Sequence, residues 1–157
     1  MVIDGYHGFM AEPTDMSGVA DRVFYLSGGY KYAMAGEGAC FLHAPPGYGP
    51  RPEITGWFAD FDSLEAQQGG VGYAPDGRRF LGSTFDPSGL YRFNAVQRML
   101  AAESLDTAII SEYCDGLMDA FAAARPLPGM EALPRAPRFM AFRGPDAQKW
   151  QERLSTQ

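Results

Sequence analysis

Lysine is scarce in this sequence, and so are cysteine and histidine. Of 13 basic residues only Lys31 and Lys149 are lysines, beside 2 cysteines and 2 histidines. Cys40 and Cys114 make no disulfide framework and show no metal-ligand spacing, so a reduced, cytoplasmic setting is expected and no metal site. There is no His-Glu pair on a helix, no phosphate-binding loop and no Gly-x-Ser-x-Gly elbow, which removes the usual motifs of metal, nucleotide and serine-hydrolase chemistry. A small acidic oxidoreductase fails for the same want of a nucleotide-binding turn. No apolar run approaches the roughly 20 residues of a membrane span. No basic segment precedes the first apolar one, so a signal peptide is not expected either. The net charge is -6, with no cluster of Lys and Arg, which speaks against nucleic acid or an anionic membrane as partner.

What is present is a globular composition. The chain has 157 residues, 46% of them apolar and 20% charged. Such a length can bury roughly two-thirds of its unfolded surface without staples. Nineteen glycines and 12 prolines come singly or in pairs, as turns and close backbone approaches require. Residues 2–4 read as a strand that Gly5 and Gly8 break, and residues 19–22 as a helical turn. Val23-Phe24-Tyr25-Leu26 is an apolar run of strand formers, the pattern of a buried central strand. Residues 39–43 are the next strand candidate. Residues 45–56 and 60–79 read as loops, the second with paired glycines at 69 and 70, and residues 80–84 as a short strand. Asp86-Pro87 starts a helix, Asp as N-cap and Pro at its first position. Ser104 reads as the cap of a second helix, with Leu105, Ile109, Tyr113, Leu117 and Phe121 on one stripe and Arg125-Pro126 as its stop. Residues 126–137 read as a linker and 138–143 as a strand. Gly144-Pro145-Asp146 opens a last helix. The order is that of an α/β protein. The chain opens inside what reads as a core strand and closes on a helix without a packing partner, so it is expected to be a piece of something larger.

Scarcity makes Lys31 conspicuous. It stands between Tyr30 and Tyr32, after Gly28-Gly29 and before small residues, with no other charge close in sequence. Two readings are open. Desolvation lowers a lysine pKa, and a neutral amine attacks carbonyls, which arginine cannot do. Alternatively the stem lies along the tyrosine rings and the charge reaches water. Asp4, at the end of the first strand, and His7 stand where an α/β sheet presents ligand-facing groups. The plainer alternative is an Asx-turn at Asp4 and a satisfied loop histidine. Trp57 either walls a pocket or is ordinary core, and Thr84, with Ser83 beside Gly82, offers donors to a phosphate. Cys40 reads as a small core residue in its strand, and Cys114 as another beside the helical stripe.

Val2-Ile3-Asp4-Gly5-Tyr6-His7 and Tyr25-Leu26-Ser27-Gly28-Gly29-Tyr30-Lys31-Tyr32 resemble the class V aminotransferase family of pyridoxal-phosphate enzymes, with kynureninase-like members nearest. Gly36 to Leu42, Thr55-Gly56-Trp57-Phe58 and Arg79-Phe80-Leu81-Gly82-Ser83-Thr84 are similar to later segments of that family. The likeness covers residues 2–100; beyond them it rests on element order. It implies a partial fold-type-I large domain with a mixed, mostly parallel sheet over residues 1–103, a connecting helix over 104–125, and the start of a small α+β domain over 126–157. It implies pyridoxal 5'-phosphate as cofactor, held by Lys31 as a Schiff base (an internal aldimine). By the same resemblance Asp4 pairs with the ring nitrogen, His7 lies near the ring, and Tyr30, Trp57 and Thr84 serve the phosphate. The last two reach it from a neighbouring subunit, so a homodimer of the full-length protein is implied, acting on an amino-acid substrate.

Parts of that family's site have no counterpart here. The segment that stacks on the cofactor would precede Met1, and the arginine for the substrate carboxylate would follow Gln157. Arg143 lies too early for that work. The chain alone is therefore expected to be inactive or nearly so. A second hypothesis is a non-catalytic remnant that serves as a dimerising or binding module.

Overall fold

The computed structural model describes residues 1–65 and 72–156. The paired glycines at 69 and 70 lie outside the described residues. The protein is a mixed α/β structure. Three strands, β1 (Val2–Asp4), β2 (Phe24–Gly28) and β3 (Cys40–His43), form one sheet in that order. β1 runs parallel to β2 with Asp4 opposite Leu26, and β3 runs antiparallel with Cys40 opposite Gly28. The sheet is thus mixed, with one pair of each sense. β2 is the central strand, as its apolar run suggested, and Tyr25 and Ser27 on it are buried. Gly5 leaves room for Tyr25, because a Cβ there would collide with the tyrosine ring.

The segment after the sheet folds around an arginine. Two 3-10 stretches, Trp57–Ser63 and Gly77–Phe80, contact each other, so residues 80–84 are not a strand. Arg79 is only 2% exposed. Its guanidinium donates to the carbonyls of Pro45, Tyr48, Gly49 and Asp76 and lies 4.7 Å from the Phe80 ring centre. A buried guanidinium needs acceptors, and here backbone carbonyls supply them instead of an acid. The proline-rich loop gains its shape from that demand.

Two long helices follow, α1 (Ser88–Ala102) and α2 (Thr107–Ala124). α1 starts one residue later than expected: Pro87, not Asp86, takes the cap position, and Asp86 just before it accepts from Ser88 N at 2.9 Å and Ser88 Oγ at 2.7 Å. Those bonds hold the Asp86 carboxyl below its ordinary pKa. The cap of α2 is Asp106, which accepts from Ile109 N at 2.8 Å. Ser104 is not the cap: its φ of 56° belongs to the turn between the helices. α2 ends at Arg125-Pro126, yet its apolar stripe is not core. Leu105, Ile109, Tyr113, Leu117 and Phe121 are 40 to 67% exposed.

The C-terminal segment is less regular than expected. Only Phe142–Arg143 is strand (β5), paired antiparallel with Glu131–Ala132 (β4) from the stretch that read as linker. A tight turn bridges Ala136 and Phe139. The last helix, α3 (Ala147–Ser155), begins where Asp146 predicted. Among the described residues no helix is long and apolar enough to cross a membrane.

Candidate functional site

The parallel pair β1–β2 ends in two loops that meet. At the end of β1, Gly5 N still donates to Leu26 O at 2.8 Å, extending the ladder by one residue. The chain then coils: Asp4 Oδ1 accepts from Tyr6 N at 3.1 Å, and Gly8 N and Phe9 N both donate to Gly5 O. This is the Asx-turn alternative at Asp4. It engages one carboxylate oxygen and presents Tyr6 and His7 side by side.

After β2 the chain doubles back through Gly29 to Ala35. Ala35 N donates to Gly29 O at 2.8 Å and Met34 N to Lys31 O at 3.0 Å, with Met34 at a φ of 55°. Ala33 and Ala35 are buried beneath this turn, which explains the run of small residues after the lysine. From α1, Arg92 Nε donates to Ala35 O at 3.0 Å and its Nη2 donates to Glu37 O, so a helix fastens the lysine loop from behind.

At the junction Lys31 Nζ donates to His7 Nε2. The amine lies 5.5 Å from the Tyr30 ring centre and 6.0 Å from that of Tyr6, and those two rings are 5.3 Å apart. A Cβ on Gly28 would press on the Tyr6 hydroxyl at 2.7 Å, so glycine makes the place where Tyr6 lies. Burial pushes the Tyr6 phenol above its ordinary pKa, helped by Cys40, Tyr30 and Asp4. Tyr25 is raised too, by burial and then by Asp4. The other lysine is a contrast: Lys149 is 78% exposed and pairs with Asp146 at 2.7 Å.

The structure therefore brings Asp4, His7, Tyr30 and Lys31 to one sheet end. It does not bring Trp57 or Thr84 into hydrogen-bond or ring contact with them. Trp57 is 48% exposed and packs on Phe58 and Phe61, and Thr84 is exposed. What does come together is Thr55-Gly56-Trp57 with Leu81-Gly82. Thr55 Oγ1 donates to Leu81 O at 3.2 Å, Phe58 N donates to Gly82 O at 3.0 Å, and a Cβ on Gly56 would strike Gly82. Cys40 is exposed, not core, because its position on the edge strand β3 points it outward; Cys114 is half-buried.

Three site residues went unnoticed in the sequence. Tyr6 is one, although its place between two glycines after a strand was a usable signal. The others are Arg138 and Phe139, which no local pattern connects to Lys31. The Phe139 ring centre lies 5.3 Å from that of His7, and the Arg138 guanidinium lies 5.9 Å from the Tyr32 ring centre. Arg143, by contrast, is committed to Glu131 through two bonds of 2.8 and 2.9 Å.

An amine, an acid, an imidazole and a phenol within one cluster can hold an aldehyde-bearing aromatic cofactor by its carbonyl carbon and its ring. The donor set fits that half of pyridoxal phosphate, and within the cluster Tyr30 alone of the expected phosphate partners is present. Among the described residues no group of three or more His, Cys, Asp or Glu is placed to hold a metal ion. No family model matches the chain, and no curated protein matches it.

Proposed function

We propose that this chain is part of a pyridoxal-phosphate-dependent enzyme of the class V aminotransferase, kynureninase-like kind, with the fold-type-I architecture that goes with it. The observation that carries the reading is the Lys31 amine, hydrogen-bonded to His7 and set beside a pair of tyrosine rings at the end of a parallel strand pair. Lys31 would hold the cofactor covalently, and Asp4 would offer its second carboxylate oxygen to the ring nitrogen. His7 would hold the Lys31 amine in place through their hydrogen bond, and Tyr30 would reach the phosphate. Bound pyridoxal phosphate supplies an electron sink for charge developing at the α-carbon of an amino acid. Lys31 is then placed to move a proton at that carbon. Trp57 and Thr84, apart from the cluster in one chain, are consistent with service to a second copy in a cytoplasmic homodimer.

The scarcity of lysine makes the test simple. Incubation with pyridoxal phosphate, borohydride reduction and peptide mapping should place the adduct on Lys31, and Lys31→Ala should abolish it. An adduct on Lys149 or the N-terminus with none on Lys31 would overturn the reading. One observation favours the second reading, a non-catalytic binding module: the exposed apolar stripe of α2. That module would fold identically with and without cofactor and carry no adduct.

A further inference from the structure

The sheet has two faces, and the Lys31 cluster uses one of them. Tyr6 lies against Gly28, on the face that Asp4 and Leu26 share. Side chains alternate along a strand, so Tyr25 and its cross-strand partner His43 stand on the other face. Phe41, opposite Ser27, stands beside them. There these side chains line a cavity of about 270 Å³. Phe9, from the coil after β1, lines it too, its ring centre 5.0 Å from that of Phe41. Another part of the wall is the turn that carries Met16 and Ala20, where Val19 N and Ala20 N both donate to Met16 O. His43 fastens this turn to the sheet, its Nε2 donating to Ala20 O at 2.8 Å. A carbonyl only accepts, so Nε2 carries the proton, and the neutral ring keeps Nδ1 as an acceptor.

The wall selects a kind of guest. Among the described residues no Asp, Glu, Lys or Arg lines the cavity. A charged guest would lose water there with nothing to pair with it. The Phe41 ring is edge-on to Phe9, at 72°, and close to parallel with Tyr25, at 27°. Such a set of edges and faces suits another aromatic ring, whereas a cation cage needs ring faces turned to one point. An apolar cavity of about 150 Å³ takes a benzene molecule, so this one has room for a substituted ring. Phe41 is 39% exposed, which leaves the cavity open to solvent. The polar groups of the wall are neutral. Thr14 Oγ1 donates to Glu12 O at 3.3 Å, and His43 Nδ1 has no donor among the described residues.

We propose that this cavity binds an uncharged, single-ring aromatic molecule that carries one hydroxyl or N–H. The ring packs against Phe9, Tyr25 and Phe41, and the donor serves His43 Nδ1. The site lies on the sheet face away from Lys31 and does not depend on what Lys31 holds.

The test follows the ring signals of the histidines, only 2 in number, in the full chain, assigned with His43→Gln. Phenol should shift the His43 signals saturably and leave those of His7 in place. Benzoate should bind at least about tenfold more weakly, for want of a partner for its charge. Anisole, which lacks the hydroxyl proton, should bind at least about threefold more weakly. Phe41→Ala should weaken phenol about fivefold, and Phe41→Leu, which keeps an apolar wall without the ring, should fall between. Wild-type His7 signals certify that a variant is folded; should Phe41→Ala lose them, Phe41→Leu decides. No saturable His43 shift in wild type, an equal shift at His7, benzoate, anisole or tetramethylammonium binding as tightly as phenol, or unchanged phenol affinity in the folded variant would each overturn the proposal.

Discussion

Tyr6 shows how one side chain is tuned by its neighbours. Its ring sits against the bare Cα of Gly28, and burial disfavours the phenolate before the charges of Cys40, Tyr30 and Asp4 add to the effect. The folded pKa of Tyr6, like that of Tyr25, is raised above the unfolded value of about 10. The unfolded chain therefore loses these protons first as pH rises. Stability is intact below about pH 10 and falls as pH climbs toward the raised folded values. Urea midpoints followed from neutral to alkaline pH should show that decline, and Tyr6→Phe should flatten it. Each of Tyr6→Phe and Tyr25→Phe should also remove one late-titrating phenol from an ultraviolet titration. Residue identity alone could not supply this, because the desolvation comes from packing. The same holds at Lys31: the flanking tyrosines were legible, but the histidine that accepts from it stands 24 positions away.

At the scale of elements, helix existence was plain and helix ends were not. The stripe spaced by four marks α2 along its length, and Arg125-Pro126 stops it. Two polar residues competed to start it. Asp106 won, because a cap must place an oxygen over a free N–H of the first turn, and Asp106 Oδ1 meets Ile109 N at 2.8 Å. Ser104 instead bends the chain at a φ of 56°. Thermal unfolding should separate the two. Asp106→Ala should cost about 1 kcal/mol, whereas Ser104→Gly should be neutral or stabilising by up to about 1 kcal/mol, since glycine carries no left-handed penalty. Strand reading failed at residues 80–84 and 138–141 for a related reason. Apolar and aromatic content was there, but among the described residues neither stretch pairs with a strand.

At the scale of the whole molecule, close approach decides how elements dock. Gly89 in the first turn of α1 faces the backbone of Gly38, and a Cβ there would collide with the Gly38 carbonyl. Gly116, in the middle of α2, has open space where its Cβ would be. The same substitution should therefore act with opposite sign. Gly116→Ala should stabilise by up to about 1 kcal/mol through helix propensity, and Gly89→Ala should destabilise by about 1–2 kcal/mol because overpacking outweighs that gain. Urea midpoints measured on both variants would check it. The sequence alone offers no way to tell these glycines apart.

Local chemistry thus lies open in the sequence. The central strand, the α2 stripe with its stop, the Asp86 start of α1 and the aromatic setting of Lys31 each rest on residues within a few positions of one another, and short-range sterics and hydrogen bonds suffice to specify them. Tertiary structure alone decided that Lys31 meets His7, that Arg138 reaches Tyr32 and Phe139 reaches His7, that Trp57 and Thr84 stand apart, and that the α2 stripe is exposed. Those outcomes depend on which surfaces meet after distant segments are brought together, and periodicity specifies a face without specifying what covers it.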